Sequence, residues 1–193
     1  MLNLFEEIKM HGTMDFPIEI YEVNETHPKY EMAFHWHPHA EIIRILNGNF
    51  KISLNKTDYN AKKGDIIFVN CETVHGALPQ NCVYECLVYD NRFIPAIAHK
   101  GQIFSEMVSK GNIRINEYFP CCDDEIHKCV DTIFDFMKSE EKGYKYSVVG
   151  MISHLYGIII KNGYYSKITD TDKQTSISVA KLKNVLEFIR KNY

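Results

Sequence analysis

The chain has 193 residues, 45% hydrophobic and 24% charged, enough to bury a full core in one domain plus an extension. A net charge of −3 argues against a broad nucleic-acid surface, and no apolar run approaches the ~20 residues of a membrane span. The N-terminus lacks the basic start and apolar stretch of a secretory signal. The six cysteines form no CxxC pair, so a reduced, cytoplasmic protein is expected.

From Phe16 to about Asp90 the chain reads as short strands separated by turns. Ile18, Ile20 and Val23 open a β-rich run. Residues 41–46 and 50–54 flank Asn47-Gly48-Asn49, which predicts a hairpin because asparagine and glycine tolerate positive φ. Lys62-Lys63-Gly64-Asp65 predicts a turn before a strand at 66–69, and 83–89 reads as the closing strand. Many short strands at this spacing predict a barrel.

The pattern then becomes helical. Asp123 and Asp124 can cap a helix whose apolar positions are Ile126, Cys129/Val130, Ile133 and Met137, ending near Glu141 before Lys142-Gly143. Ser147 can cap a second helix, 148–161, closed by Asn162-Gly163. That helix is apolar nearly all round and needs cover on more than one side. Gly150, Ser153, His154 and Gly157 fall on one of its faces, either for close packing on the barrel or as a dimer seam. Residues 166–178 read as a polar linker. After it Val179, Leu182, Val185/Leu186, Ile189 and Tyr193 form an apolar stripe on which the chain stops.

The chemistry is concentrated in His35-Trp36-His37-Pro38-His39-Ala40-Glu41, followed by Gly48, Gly64 and His75. On a strand, His35 and His37 point to the same face. With Glu41 and His75 they offer three imidazoles and a carboxylate, a ligand set for a divalent transition metal such as zinc, nickel, iron or manganese. The same four residues also suit a hydrogen-bonded polar cluster without metal. His39 shares their parity but follows Pro38, so it reads as a pocket or rim residue. Phe34, Phe50, Tyr84 and Cys86 read with it as liners of a small-molecule pocket, core packing being the competing role. Trp36 points away from the histidine face. His11, His27, His99, His127 and His154 show no partner pattern and read as surface or packing residues. Without a nucleophilic triad, a phosphate loop or a dinucleotide fingerprint, an enzyme would rest on the metal quartet alone.

These residues resemble the cupin superfamily, whose first motif is H-x-H-(x)3-E-(x)6-G and whose second is G-(x)5-P-x-G-(x)2-H. His35, His37, Glu41 and Gly48 fit the first in full spacing, although Lys29 stands at its leading glycine. Gly64 and His75 fit the second, with Asn70 at its proline and Glu72 at its internal glycine. A barrel, a helical hairpin, a polar linker and a further helix together resemble the AraC family of bacterial transcription regulators. Residues 64–69 are similar to the second half of that family's barrel. The terminal stretch from Lys181 to Ile189 is similar to the first helix of its DNA-binding domain. The resemblance implies a mainly β fold, a cupin-like double-stranded β-helix barrel followed by an α-helical hairpin. It further implies a sensor barrel at 1–100, a helical dimerisation region at 101–165, a linker at 166–178, and at 179–193 the first helix of a truncated helix-turn-helix domain. The expected partners are a small-molecule effector such as a sugar, a second copy of the chain through helix 148–161, and DNA only through the missing C-terminal domain. A metal-dependent cupin enzyme, of the dioxygenase or sugar-isomerase type, is the competing expectation.

Overall fold

A computed structural model of the chain describes residues 5–7, 9–121 and 125–168. The elements run β1 (Phe5–Glu6), β2 (Ile18–Val23), β3 (Met32–Trp36), β4 (Ala40–Leu54), β5 (Thr57–Lys62), β6 (Ile66–Val69) and β7 (His75–Tyr89). After a 3₁₀ turn at Asn91–Phe93 come β8 (Ala98–His99), β9 (Gln102–Ile103), α1 (Phe104–Ser109), β10 (Ile113–Ile115) and β11 (Tyr118–Phe119). The helices α2 (Glu125–Ser139) and α3 (Tyr144–Asn162) and the strand β12 (Tyr165–Lys167) complete the series. The fold is a mainly β, cupin-type barrel with helices toward the C-terminal end.

Two strands of 15 residues, β4 and β7, form its backbone and pair antiparallel along nearly their whole lengths, from Ala40 opposite Tyr89 to Leu54 opposite His75. The first half of β4 also pairs with β6, and the second half with β5. The expected hairpin at Asn47-Gly48-Asn49 is therefore not a turn. Gly48 takes φ 77° inside a continuous strand, at a register shift between Ile45 and Asn49. A bulge bends and twists a strand without ending it. Glycine is needed there because a Cβ would stand 2.0 Å from the Asn81 carbonyl oxygen.

Alternation along these strands separates two cores. Ile43, Ile45, Phe50, Ile52, Leu54, Tyr84 and Cys86 fill the barrel interior. Ile42, Phe68, Leu87 and Tyr89 point the other way, onto α2 and α3. The α2 stripe is as the periodicity predicts: Ile126, Cys129, Val130, Ile133 and Met137 are all buried. Asp123 and Asp124 lie outside the described residues. Arg44, Glu85, Lys138 and Asp131 form an ionic tie between barrel and α2, in which Glu85 is buried and accepts from Arg44 Nε.

The barrel also reaches past residue 100, into the span expected to be helical. β11 adds to β6, and the buried Asp65 carboxylate latches it there by accepting from Tyr118 Oη (2.8 Å) and from the Cys121 amide (2.7 Å). Ser166 and Lys167, expected to begin the linker, instead pair with β10 in β12. Residues 169–193, with the rest of the linker and the terminal helix, lie outside the described residues. No helix among the described residues is long and apolar enough to cross a membrane. Cys71, Cys82, Cys86, Cys121 and Cys129 carry free thiols.

Candidate metal centre

Three strand positions, and one in the short link between β3 and β4, build the centre. His35 of β3 and His75 of β7 are directly opposite in register, which brings their rings to 4.1 Å between centroids. His37 follows two residues after His35 on the same face, 5.0 Å from the His75 ring. One ring nitrogen from each of His35, His37 and His75 lies within 4.8 Å of the other two, and all three residues are buried. Glu41, on the inward face of β4, flanks the triad. Its Oε2 is 3.3 Å from His37 Nε2 and 3.2 Å from His75 Nε2. The three imidazoles thus form the cluster, with the carboxylate touching two of them.

The backbone sets the tautomers. The Nδ1 of His35, of His37 and of His75 meets the carbonyl oxygens of Ala33 (2.8 Å), His39 (3.1 Å) and Thr73 (2.8 Å) respectively. A carbonyl only accepts, so each Nδ1 carries the hydrogen and a neutral ring turns its Nε2 lone pair inward. His75 Nε2 is close to the Glu41 oxygen but off its line, and this buried nitrogen makes no hydrogen bond. Nitrogen lone pairs and a carboxylate converging on one point require a cation between them, either a proton or a metal. Carbonyl-oriented imidazoles of this kind are the usual outer support of metal-bound histidines, so the residues present fit a divalent ion.

Burial works against the charged form of Glu41, but the imidazoles of His37 and His75 beside it hold its carboxyl well below the usual range. Burial likewise opposes a charged His37, and the Glu41 carboxylate overcomes this and raises it. Burial, with the neighbouring His75, pushes His35 down to about 4. The same surroundings thus push His35 and His37 in opposite directions.

The residues assigned to a pocket are spread out. Phe50 and Tyr84 are buried inside the barrel with their rings 4.6 Å apart, and the Tyr84 hydroxyl donates to the Tyr30 carbonyl (3.0 Å). Cys86 is buried in the same interior, with Glu41 near enough to keep its thiol protonated; burial is the larger cause. These three are core side chains. Phe34 lies on the opposite face of β3 from the histidines, over Gly76, where a Cβ would meet its ring at 2.9 Å. His39 is half-buried beside the triad, 5.9 Å from the His37 ring, and its buried Nδ1 has no hydrogen-bond partner.

The sequence pattern missed the N-terminal segment. Read as a surface or packing residue, His11 is 2% exposed, with its ring 5.8 Å from His37 and 5.1 Å from His39. Burial lowers its pKa. Glu7 comes with it, because β1 pairs parallel with β3 and the Glu7 amide donates to the Trp36 carbonyl (3.0 Å). No local motif announces either residue, since a parallel pairing across ~30 residues leaves no trace in spacing.

A family model described as the AraC-like ligand binding domain matches residues 18–147. No curated protein matches the chain. Among solved structures, an RmlC-like cupin from Shewanella frigidimarina overlaps 44% of this chain and 80% of its own at 18% identity, with a TM-score of 0.35. A conserved protein of unknown function from Streptococcus pyogenes shares 18% identity over 38% of this chain and 62% of its own (TM-score 0.33). A Bacillus subtilis oxalate decarboxylase variant shares 13% over 31% of this chain and 18% of its own (TM-score 0.30). The chain therefore spans less than two thirds of the length of the latter two.

Proposed function

The chain belongs to the family of AraC-like ligand binding domains, and from that premise we propose that it is the small-molecule-sensing and dimerising part of a bacterial AraC-type transcription regulator. The observation that carries the reading is a buried imidazole triad, with tautomers set by backbone carbonyls, inside the matched domain. His35, His37 and His75 would hold a divalent ion through Nε2, and Glu41 would supply the carboxylate. Such an ion offers an open position to a hydroxyl or carboxylate of the effector. The chain's own part is to hold the ligands in place and to keep water out, which the apolar interior beneath Glu41 does. Core packing of Phe50, Tyr84 and Cys86 moves the proposed effector to the mouth of the barrel, beside His39. A polyol such as a sugar suits that mixture of acceptors.

DNA contact belongs, in this proposal, to a part of the regulator outside the described residues. Dimerisation is assigned to α3. Val148, Ile152, Leu155, Ile158 and Ile159 are buried against the chain's own core, which leaves the face of Gly150, His154 and Gly157 open. Beside it runs a mostly apolar groove of about 410 Å³, lined by Ile97, Phe104, Tyr156 and Ile160 among others.

The same four metal-site residues favour one other reading, a metal-dependent cupin enzyme. A panel of sugars and small carboxylic acids, read first by thermal shift and then by product analysis, separates the two. A compound that raises the melting temperature and is recovered unchanged supports the sensor. One that is converted, with conversion lost in His75→Ala, replaces the sensor with the enzyme.

A further inference from the structure

We infer that Glu7 is a further carboxylate ligand of the metal centre, supplied by the N-terminal segment beside His35. The inference rests on the metal reading above and extends its ligand set beyond the His35, His37, Glu41 and His75 pattern.

The two oxygens of Glu7 are in different surroundings. Oε1 takes the Lys29 ammonium at 3.0 Å. Oε2 lies 3.8 Å from His35 Nε2 and 3.8 Å from His11 Nε2. Both nitrogens present lone pairs when the rings are neutral. For His35 this follows from the Nδ1–H bond to Ala33. For His11 it follows from Tyr21: the tyrosine hydroxyl gives its hydrogen to Glu19 Oε2 (2.5 Å), so its oxygen accepts from His11 Nδ1 at 2.8 Å. His11 Nε2 is then left fully buried without a hydrogen-bond partner.

An anionic oxygen facing two nitrogen lone pairs, at distances too long for hydrogen bonds, is repulsive unless a cation lies among them. Metal–ligand bonds of ~2.0–2.2 Å place neighbouring donor atoms roughly 3–4 Å apart. The Glu7–His35 spacing of 3.8 Å falls in that range, as do the 3.3 and 3.2 Å between Glu41 and the other two imidazoles. Glu41 thus serves the His37–His75 side and Glu7 the His35 side. Two carboxylates and three neutral imidazoles would neutralise a divalent ion completely. Its place is fixed by backbone pairing, not by chance: β1 runs along β3, and the Glu7 amide is held by Trp36.

Cobalt(II) titration of the whole chain, followed by its visible absorption, tests this. Its band intensity and position report the number and kind of ligands. Wild type is expected to bind one equivalent and His75→Ala to lose it. Glu7→Gln, which keeps shape and can still accept from Lys29, is expected to bind roughly tenfold or more weakly with a changed spectrum. Lys29→Met removes the clamp but keeps the carboxylate, and is expected to retain the wild-type spectrum at saturation. A Glu7→Gln protein that matches wild type in affinity and spectrum overturns Glu7 as a ligand while the triad stands. Equal losses and identical spectra in Glu7→Gln and Lys29→Met also overturn it, because the segment would then act only by docking. A wild type that binds no cobalt overturns the triad and Glu7 together. Melting curves of the metal-free variants identify any that fail to fold, and Glu7→Leu, which also removes the carboxylate, then takes the place of Glu7→Gln, with the same outcomes.

Discussion

Asn70 and Glu72 stand where the second cupin motif has proline and glycine, and the structure gives each departure its own physics. The buried Asn70 side chain imitates a strand: its Nδ2 donates to the Ile115 carbonyl (2.9 Å) and its Oδ1 accepts from the Ile115 amide (2.9 Å). This fixes the chain just before His75 and ties it to β10. Asn70→Ala strands both Ile115 backbone groups in the interior, at a cost of about 2–4 kcal/mol. Asn70→Pro restores the motif residue and is expected to cost as much, since proline supplies neither hydrogen bond. Urea unfolding of the two variants checks this, and near-wild-type midpoints would show that the side chain is dispensable. Glu72 keeps the glycine conformation, φ 62°, while its amide donates to the His37 carbonyl (3.0 Å). The glycine of the motif was thus legible as a backbone shape even though its residue had changed. His35, His37 and Glu41 were legible because strand parity and spacing are local properties. Glu7 was not, because what brings it to the site is the long-range pairing of β1 with β3, and His11 was not, because its place is set by the Tyr21 hydroxyl of β2.

At the scale of elements, glycine means opposite things in the barrel and in the helices. The Asn47-Gly48-Asn49 run has the composition of a hairpin turn, and local propensity alone favours one. The competing pairing wins because β7 offers a continuous partner on both sides of the bulge, so the strand bends and goes on. Gly48→Ala must tolerate positive φ and a Cβ inside a backbone contact, for a loss of about 2–5 kcal/mol. Gly150 and Gly157 in α3 have open space where a Cβ would go. Gly150→Ala is expected to stabilise the chain by about 0.5–1 kcal/mol, the ordinary helical preference for alanine. Chemical denaturation of the two alanine variants should give shifts of opposite sign. Equal destabilisation would mean that the Gly150 face is already covered in the protein as purified. The same comparison explains what periodicity could not supply. It located the buried stripe of α2 and the C-terminal stop of α3, although α3 begins at Tyr144 after Gly143 and not at a Ser147 cap; a helix apolar nearly all round does not reveal which side its own barrel covers.

For the whole molecule, the outer face of the barrel and α3 act as one rigid support. Tyr156 of α3 hydrogen-bonds Asn91 and the Tyr89 hydroxyl of β7, and Asn91 in turn donates to Cys71 Sγ (3.2 Å). That buried network fixes the helix to the long strand whose other end carries His75. The core side of α3 is therefore committed, and any self-association through it must use the Gly150–His154–Gly157 face and the groove beside Ile97. A two-fold contact would set this face against its own copy, with the small residues allowing close approach and each His154 near the axis. Arginine at position 157 would bring two cations together where the helices are closest. The expectation is a wild-type dimer at a concentration on the order of 50 µM, and a Gly157→Arg protein that sediments as a monomer with an unchanged circular dichroism spectrum. A charge placed instead at the core side of α3, where Ile159 is 1% exposed, would unfold the core and leave the seam untested. Should wild type remain monomeric at that concentration, the α3 seam is removed, and the sensing proposal must then find its symmetry outside the described residues.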